Sequence, residues 1–483
     1  MHIIDLCIFI LYMVGMLGVG VYFLNKNKST DDYYVGGRSM SSGHIGLSVV
    51  ATDVGGGFSI GLGGLGFTMG ISGSWMLFTG LIGAWLAAVF LIPAVKSNPA
   101  FARFLTFPQL FQHYYSLRVA MVAAIISAIG YIGFTSSQLL AGAKLASGTF
   151  NTLNEKDALI IMGVIAVVYT VMGGIKAVIY TDTIQWIILM AGLIFIGLPM
   201  GYMAVGGWES IRETVEPSML SLTSVSWQML LKWAITVIPI WFVGMTLYQR
   251  IYASRDEKTA KRAWYIAGLF EWPIMAFMGV ALGLLARVAA DQGMFVDLGA
   301  LNIQDTDSEK GVPMLLRTVL PHGLLGLMMA SYFSAILSTA DSCLMAASGN
   351  VTTDLLGRWF GWDPGSKRTL KVSQIATLVI GAAALLLAFK ATNVLDQMLL
   401  SYAFMVSGLF VPVLGMLFWK HRSSTGALLS MVIGGGTTIT LTLTQTPMPW
   451  GIDPNLFGIL ASVIAFHAGS WAFPDKKLKQ SPH

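Results

Sequence analysis

The sequence predicts an all-α integral membrane protein of about thirteen transmembrane helices, read as two inverted five-helix repeats with one helix leading and two trailing. Three observations carry that prediction. Apolar residues make up 55% of the 483-residue chain and charged residues only 11%, with a mean hydropathy of +0.70. Soluble domains hold roughly a quarter charged residues, so this chain cannot cover itself with a wettable surface. Apolar windows of about 20 residues, the length that crosses a bilayer, recur from end to end. Two of those windows, five apart in order, are interrupted near their centres by helix-breaking residues.

The windows fall at about 3–24, 44–68, 72–95, 119–147, 157–178, 180–205, 227–248, 264–286, 322–352, 373–389, 394–418, 424–445 and 455–473. No small-residue cleavage site follows the first, which therefore reads as a helix and not as a signal peptide. The joins near Thr68–Ser72 and Ile179 are the least marked. The chain divides as a leading helix and loop (1–43), repeat one (44–205), an outer loop (206–226), repeat two (227–418) and two trailing helices with a tail (419–483).

An odd number of crossings puts the termini on opposite sides. With the N-terminus outside and the C-terminus cytoplasmic, twenty-one of the 29 lysines and arginines, Arg250 among them, fall in cytoplasmic segments and six in outer ones. Lys144 and Lys232 lie within spans and are expected to snorkel to the outer edge; Glu271 also lies within a span and is expected to pair with a neighbour that the sequence does not name. The net charge of +5 and pI near 9.0 then describe basic inner loops, not a nucleic-acid partner. The longest outer segment, "DQGMFVDLGALNIQDTDSEKGVPMLLRTVLPH", is acidic in the middle and apolar towards its end; it suits a short helix over an outer vestibule or a solvated loop. Cys7 and Cys343 both fall in apolar segments and suggest neither a disulfide framework nor a metal cluster.

The first interruption is "DVGGGF" followed by "GLGGLGF", in the second span. Gly55, Gly56 and Gly57 weaken a helix, and non-helical backbone inside a bilayer must be buried by protein or line a cavity. Carbonyls freed there can hold a cation, and Asp53 adds negative charge; close packing through small residues is the plainer alternative. Five spans on, "WAITVIPIWFVGMTLYQR" is interrupted by Pro239 and Gly244. In the ninth span, "SYFSAILSTADSCLMAASGN" sets Ser338, Asp341 and Ser342 on one helix face beside Thr339, hydroxyls and a carboxylate suited to a hard cation.

These stretches, with "DDYYVGGRSM" before the second span, "YTVMGGIKAVIYTDTIQ" and "SAILSTADSCLMAASGNVTTDL", resemble the sodium/solute symporter family of proline, pantothenate, glucose, sialic acid and choline carriers. The resemblance covers nearly the whole chain, and "VATDVGGGF" and "ILSTADS" are most similar to the proline and choline branches. It implies a leucine-transporter-type fold and a main sodium site built from the carbonyls of Ala51, Val54 and Ala335 and the hydroxyls of Ser338 and Thr339. It implies that Asp53 serves coupling, as the matching acid does in the proline branch. Members that bind a second sodium do so at positions matching Asp182, Ser338, Asp341 and Ser342; for Asp182 a helix N-cap is the alternative. Sodium, one ion or two, is the expected cofactor, with no organic group.

On that resemblance the solute lies beside Gly55, Gly56 and Phe58, with Trp75, Gln138, Trp241, Tyr248 and Tyr402 as candidate linings, any of which as an aromatic can instead face lipid. The sialic acid branch has an arginine where this chain has Phe134, which weakens an acidic sugar. The choline branch has a tryptophan where this chain has Asp53, which weakens choline. A small amino acid or similar zwitterion is the favoured solute, with an organic cation or monocarboxylate next. The expected partners are the solute and the lipid bilayer of the cell membrane, with no nucleic acid; oligomeric state is left open, with a monomer sufficient. Proton coupling through Asp53 or Asp341 is a rival to sodium. An enzyme is disfavoured because the seven histidines are scattered, and a channel because no ring of repeated polar groups occurs. "GGGF" lacks the Lys-Ser/Thr of a phosphate loop.

Overall fold

The computed structural model describes residues 2–24, 34–38, 40–101, 103–150, 153–361 and 367–475; within its helices the side chains of 17, 20, 21, 23, 24, 53, 54, 58, 172–177, 367 and 368 lie outside the description. The described residues are helical throughout, joined by short turns. With no water in a bilayer core, a helix satisfies its own backbone, and the helix ends need help. The sequence supplies it at the span entrances. Ser116, Asn154, Ser226, Asp256, Asn393, Ser423 and Asp453 are N-caps whose side chains each accept a backbone N–H from the first turn. The N–H of Thr259 holds the exposed Asp256 carboxyl below the usual carboxylate range.

Helix α1 (Ile3–Leu24) leads. The second span is two helices, α2 (Ser42–Val54) and α3 (Gly56–Met69), and α4 (Trp75–Leu86) follows a tight turn at Gly70–Ser74. A short helix, α5 (Pro108–Tyr114), leads into α6 (Leu117–Thr149). Next come α7 (Glu155–Gly192), α8 (Leu198–Ala204) and the outer α9 (Gly207–Thr214). The seventh span is again two helices, α10 (Trp227–Val243) and α11 (Met245–Ala253), bent by 42° at the join. The chain continues through α12 (Glu257–Leu269), α13 (Ala276–Asp291), α14 (Gly311–Val319) and α15 (Leu324–Gly349). It ends with α16 (Lys367–Ala388), α17 (Val394–Phe418), α18 (Ser424–Leu443) and α19 (Pro454–Ala472).

Among the described residues, nine helical runs are long and apolar enough to cross a membrane, or ten with the bent α10–α11 pair. Residues 59–96 form one such run where two spans were expected, and within it Gly70, at φ 69° and ψ −147°, ends α3 and the turn at Gly70–Ser74 separates it from α4. The first span, α1, runs over Ile3–Leu24, with its apolar side chains described without a gap over Ile3–Met16. The expected fifth and sixth spans are continuous in α7, with the side chains of 172–177 between them outside the described set.

Helix α15 is the centre of the molecule, packed against α1, α2, α6, α7 and α16. Its buried residues run almost without a gap from Leu325 to Gly349, polar ones included. The outer helices present bare apolar faces: Ile184, Phe195, Val379, Leu386, Val432 and Ile464 are each more than 60% exposed, as lipid-facing residues are. The long outer segment does carry a short helix, α14.

Candidate functional site

Helix α2 ends at Val54, and Gly55 takes φ −12° and ψ −167°, outside the helical region, before α3 begins. The break is pressed against two neighbours. A Cβ on Gly55 would collide with Thr339 of α15 and Gln138 of α6, one on Gly56 with Ala141, and one on Gly57 with the Met398 sulfur of α17. No other residue type fits so close an approach. Gln138 serves the break directly, its Oε1 accepting the Gly56 N–H at 2.6 Å.

The oxygens expected to hold the main sodium meet at this break. Thr339 Oγ1 lies 3.1 Å from the Ala51 carbonyl and 3.3 Å from that of Ala335, and Ser338 Oγ lies 3.0 Å from the Ala335 carbonyl. The Gly55 N–H also donates to the Ala51 carbonyl, at 3.2 Å. Four of the five expected donors are therefore gathered from α2 and α15, all of them neutral oxygens; the fifth, Val54, is the last residue of α2. The side chains of Asp53 and Phe58 lie outside the described set.

A second polar cluster sits beside the first. Asp341 accepts a hydrogen bond from Thr170 of α7. Asp182, fully buried, lies inside α7 and not at its N-cap, and its Oδ2 accepts from Ser48 Oγ of α2 at 2.5 Å. At 3.4 Å from the same oxygen is the guanidinium of Arg250, which also donates to Ser342 Oγ at 3.1 Å. Arg250 is fully buried, so its placement among the cytoplasmic basic residues is corrected. It closes the seventh span in sequence and looks like a membrane-edge arginine. The bend at Gly244 turns it inwards onto a carboxylate, the only partner that makes a buried charge tolerable.

Of the candidate solute linings, Gln138 and Tyr402 stand near the break. Tyr402 packs edge-on against Phe134, at 4.9 Å, one turn below Gln138 on α6, and is itself one turn along α17 from Met398. Met398 was not anticipated; an unremarkable methionine in an apolar run gives no signal. The other aromatics are engaged elsewhere. Trp75 donates to the Leu222 carbonyl of the outer loop at 2.8 Å and stacks near Trp272. Trp241 fills the space over Gly83 and meets Trp264. Tyr248 packs on Phe107 and donates to the Phe242 carbonyl at 2.8 Å. Trp241 and Tyr248 are buried away from lipid, and Trp75 is half-buried.

The second break is capped by tyrosines. In an unbroken helix Thr246 N–H would bond the Phe242 carbonyl; here Tyr131 Oη of α6 accepts from Thr246 N–H at 3.0 Å, while Tyr248 satisfies the carbonyl. One further expectation is corrected. Lys144 does not snorkel: its side chain is 3% exposed and pairs with Glu309 at 2.7 Å and Asp307 at 2.9 Å. Lys232, a third exposed, sits 3.7 Å from Asp453. Glu271 is buried where Gly80 of α4 leaves room for its carboxylate.

This architecture recurs in known proteins. The profile of the Sodium:solute symporter family matches residues 33–434. The chain is 27% identical over 470 residues to the osmoregulated proline transporter OpuE of Bacillus subtilis, covering 94% of this chain and 92% of that protein. It is 26% identical to the sodium/glucose cotransporter of Vibrio parahaemolyticus, covering 98% and 91%. Among solved structures, a Na+-coupled sialic acid symporter in a substrate-bound outward-open state superposes with a TM-score of 0.79 at 22% identity, over 97% of this chain and 98% of that one. Mhp1, a nucleobase-cation-symport-1 family transporter, superposes with a TM-score of 0.55 at 13% identity, over 92% and 95%. The fold is thus that of the leucine-transporter-type sodium symporters, and the chain belongs to the Sodium:solute symporter family.

Proposed function

We propose that this protein is a sodium-coupled symporter that imports a small amino acid or similar zwitterion across the cell membrane by alternating access, with its C-terminus cytoplasmic. The observation that carries the sodium site is the meeting of Thr339 Oγ1 with the Ala51 carbonyl, beside a helix break held open by Gly55. A small cation entering among Ala51, Val54, Ala335, Ser338 and Thr339 exchanges hydroxyl–carbonyl contacts for ion–oxygen ones and ties α2 to α15. Neutral oxygens suit an ion that must also leave.

The solute binds beside the same break, near Gly56, Gln138 and Tyr402. Ion and solute thus order one stretch of backbone, and each raises the other's affinity by the same factor. An inward sodium gradient and a negative interior drive both inwards, at about 2.3 kcal/mol per charge per 100 mV. The amino-acid reading rests on the proline transporters among the relatives and on Asp53 as a counter-charge for an ammonium.

The test is uptake into proteoliposomes with Na+ replaced by K+ or choline at fixed pH. Uptake is expected to cease; undiminished uptake ends the sodium reading. A thermal-shift screen against amino acids, amines and carboxylates, with and without Na+, identifies the solute as the compound whose stabilisation sodium enhances.

A further inference from the structure

A cavity of about 450 Å³ lies between the end of the sixth span, α9, α13 and the turn after α3. Ile194, Leu198 and Tyr202 follow at four-residue spacing and form one wall; Ala281 and Leu284, one turn apart on α13, form another. The lining is aliphatic except at the rim, where Tyr202 and Trp208 stand half-exposed. The walls are tied together. The Trp208 N–H donates to Tyr202 Oη at 2.9 Å, and Gln292 Nε2, just past α13, donates to the Val205 carbonyl at 2.9 Å and to Ser210 Oγ of α9 at 2.8 Å. Gly70, at φ 69°, leaves room for the Met219 carbonyl, which brings the neighbouring Leu220 into the lining. An apolar cavity held open in this way is the usual form of a ligand site.

Its surroundings say what fills it. Phe195 and Met203, beside the lining residues Ile194 and Tyr202, are largely exposed, so this flank of the molecule meets lipid. The Tyr202–Trp208 pair is of the aromatic type that sits at the boundary of membrane and water. Water finds few partners on aliphatic walls, and an empty space forfeits its dispersion contacts. A lipid chain is the apolar molecule at hand. It gains little by leaving other chains for an apolar wall, so selectivity has to come from fit and from the headgroup. Helix α9 supplies the headgroup partners: Glu209, Arg212 and Glu213 are all exposed, the two acids one turn apart and Arg212 one turn on from Trp208. One cation for a phosphate and two carboxylates for an ammonium complement a zwitterionic lipid and oppose an anionic one.

We infer that this cavity binds one acyl chain of a phospholipid with an ammonium-bearing headgroup, its phosphate at Arg212 and its ammonium at Glu209 and Glu213. The site borders the first broken span. Ile71, in the lining, closely follows the end of α3, and α13 is in backbone contact with α3: a Cβ on Gly66 would meet the Val280 carbonyl, and one on Gly283 the Gly63 carbonyl. A bound chain therefore braces the helix against which the outer half of that span rests, whichever ion drives transport.

The experiment is native mass spectrometry of the purified full-length protein, titrated with dioleoylphosphatidylethanolamine and, separately, with dioleoylphosphatidylglycerol. One phosphatidylethanolamine per chain is expected, held at a concentration about tenfold below that needed for phosphatidylglycerol. Equal retention of the two lipids overturns the inference. Ala281→Trp fills the cavity and is expected to lose the retained lipid; retention as in the wild type overturns the site. Glu209→Gln combined with Glu213→Gln changes only exposed side chains and is expected to keep one lipid but lose the tenfold preference. An unchanged preference overturns the headgroup assignment. A wild type that holds no lipid and runs as a dimer, dissociating on Ala281→Trp, would give the cavity to a second copy of this chain and overturn the inference. Should Ala281→Trp fail to fold, the wild-type preference and the carboxylate variant decide.

Discussion

Thr339 is placed where two helices need the same oxygen. Its hydroxyl spans from its own helix to the Ala51 carbonyl across the break, so removing it affects the ion and the junction together. Thr339→Ala and Ser338→Ala are each expected to raise the sodium concentration for half-maximal uptake by about tenfold or more, the equivalent of about 1.4 kcal/mol from one lost ligand. Wild-type sodium dependence in both variants would place the ion elsewhere. Gly55 is constrained more severely, because any Cβ there meets Thr339 and Gln138. Gly55→Ala is expected to insert in the membrane yet lose most uptake, checked by pairing surface expression with transport. At this scale the sequence exposes hydroxyls and acids at i, i+3 and i+4. It is silent on Arg250, whose partners Asp182 and Ser342 are remote along the chain.

The two broken spans are the elements that must hold irregular backbone inside a bilayer, and each solves the problem with a partner helix. In the first, Gln138 of α6 takes the Gly56 N–H. In the second, Tyr131, also of α6, takes the Thr246 N–H, and Tyr248 bonds back to the Phe242 carbonyl. One helix therefore supports both breaks. Tyr131→Phe leaves a buried amide unsatisfied and is expected to cost about 1–3 kcal/mol of stability, read as a lowered unfolding temperature in detergent. An unchanged temperature would show that the amide has another acceptor. Pro239 and Gly244 mark this break in the sequence, yet the helix turns at Gly244, while Pro239 stays inside α10. A proline at mid-helix can be accommodated by its neighbours, and only the packing around it decides whether the chain bends there.

Across the whole molecule, the outer ends are joined by one buried ion pair. Lys144 of α6 pairs with Glu309, whose carboxylate also accepts the N–H groups of Val394 and Leu395 at the start of α17. Lys144 donates further to the Thr392 carbonyl, so the outer loop, α6 and α17 meet at one clasp over the outer end of α3. Lys144→Met strands a buried carboxylate and is expected to cost about 3 kcal/mol. Glu309→Gln leaves Lys144 its Asp307 partner and is expected to cost about 1–2 kcal/mol. The double variant should lose less than the sum of the two, measured by thermal unfolding; strict additivity would mean the clasp carries no coupling.

The sequence by itself determined that this chain lives in a bilayer and that its second and seventh spans are broken. Apolar run length, glycine clusters and hydroxyl spacing are local properties, and transmembrane helices obey them locally. It also determined which residues of the ninth span suit a small cation. The tertiary structure alone decided that Lys144 faces Glu309 and not the membrane edge, that Trp75, Trp241 and Tyr248 serve packing, and that Arg250 shares Asp182 with Ser48. Each of these depends on a contact between helices distant in the chain. A charge in an apolar run is equally compatible with escaping to water and with meeting a counter-charge, and the bend that brings the two charges together is set by the packing of the whole bundle.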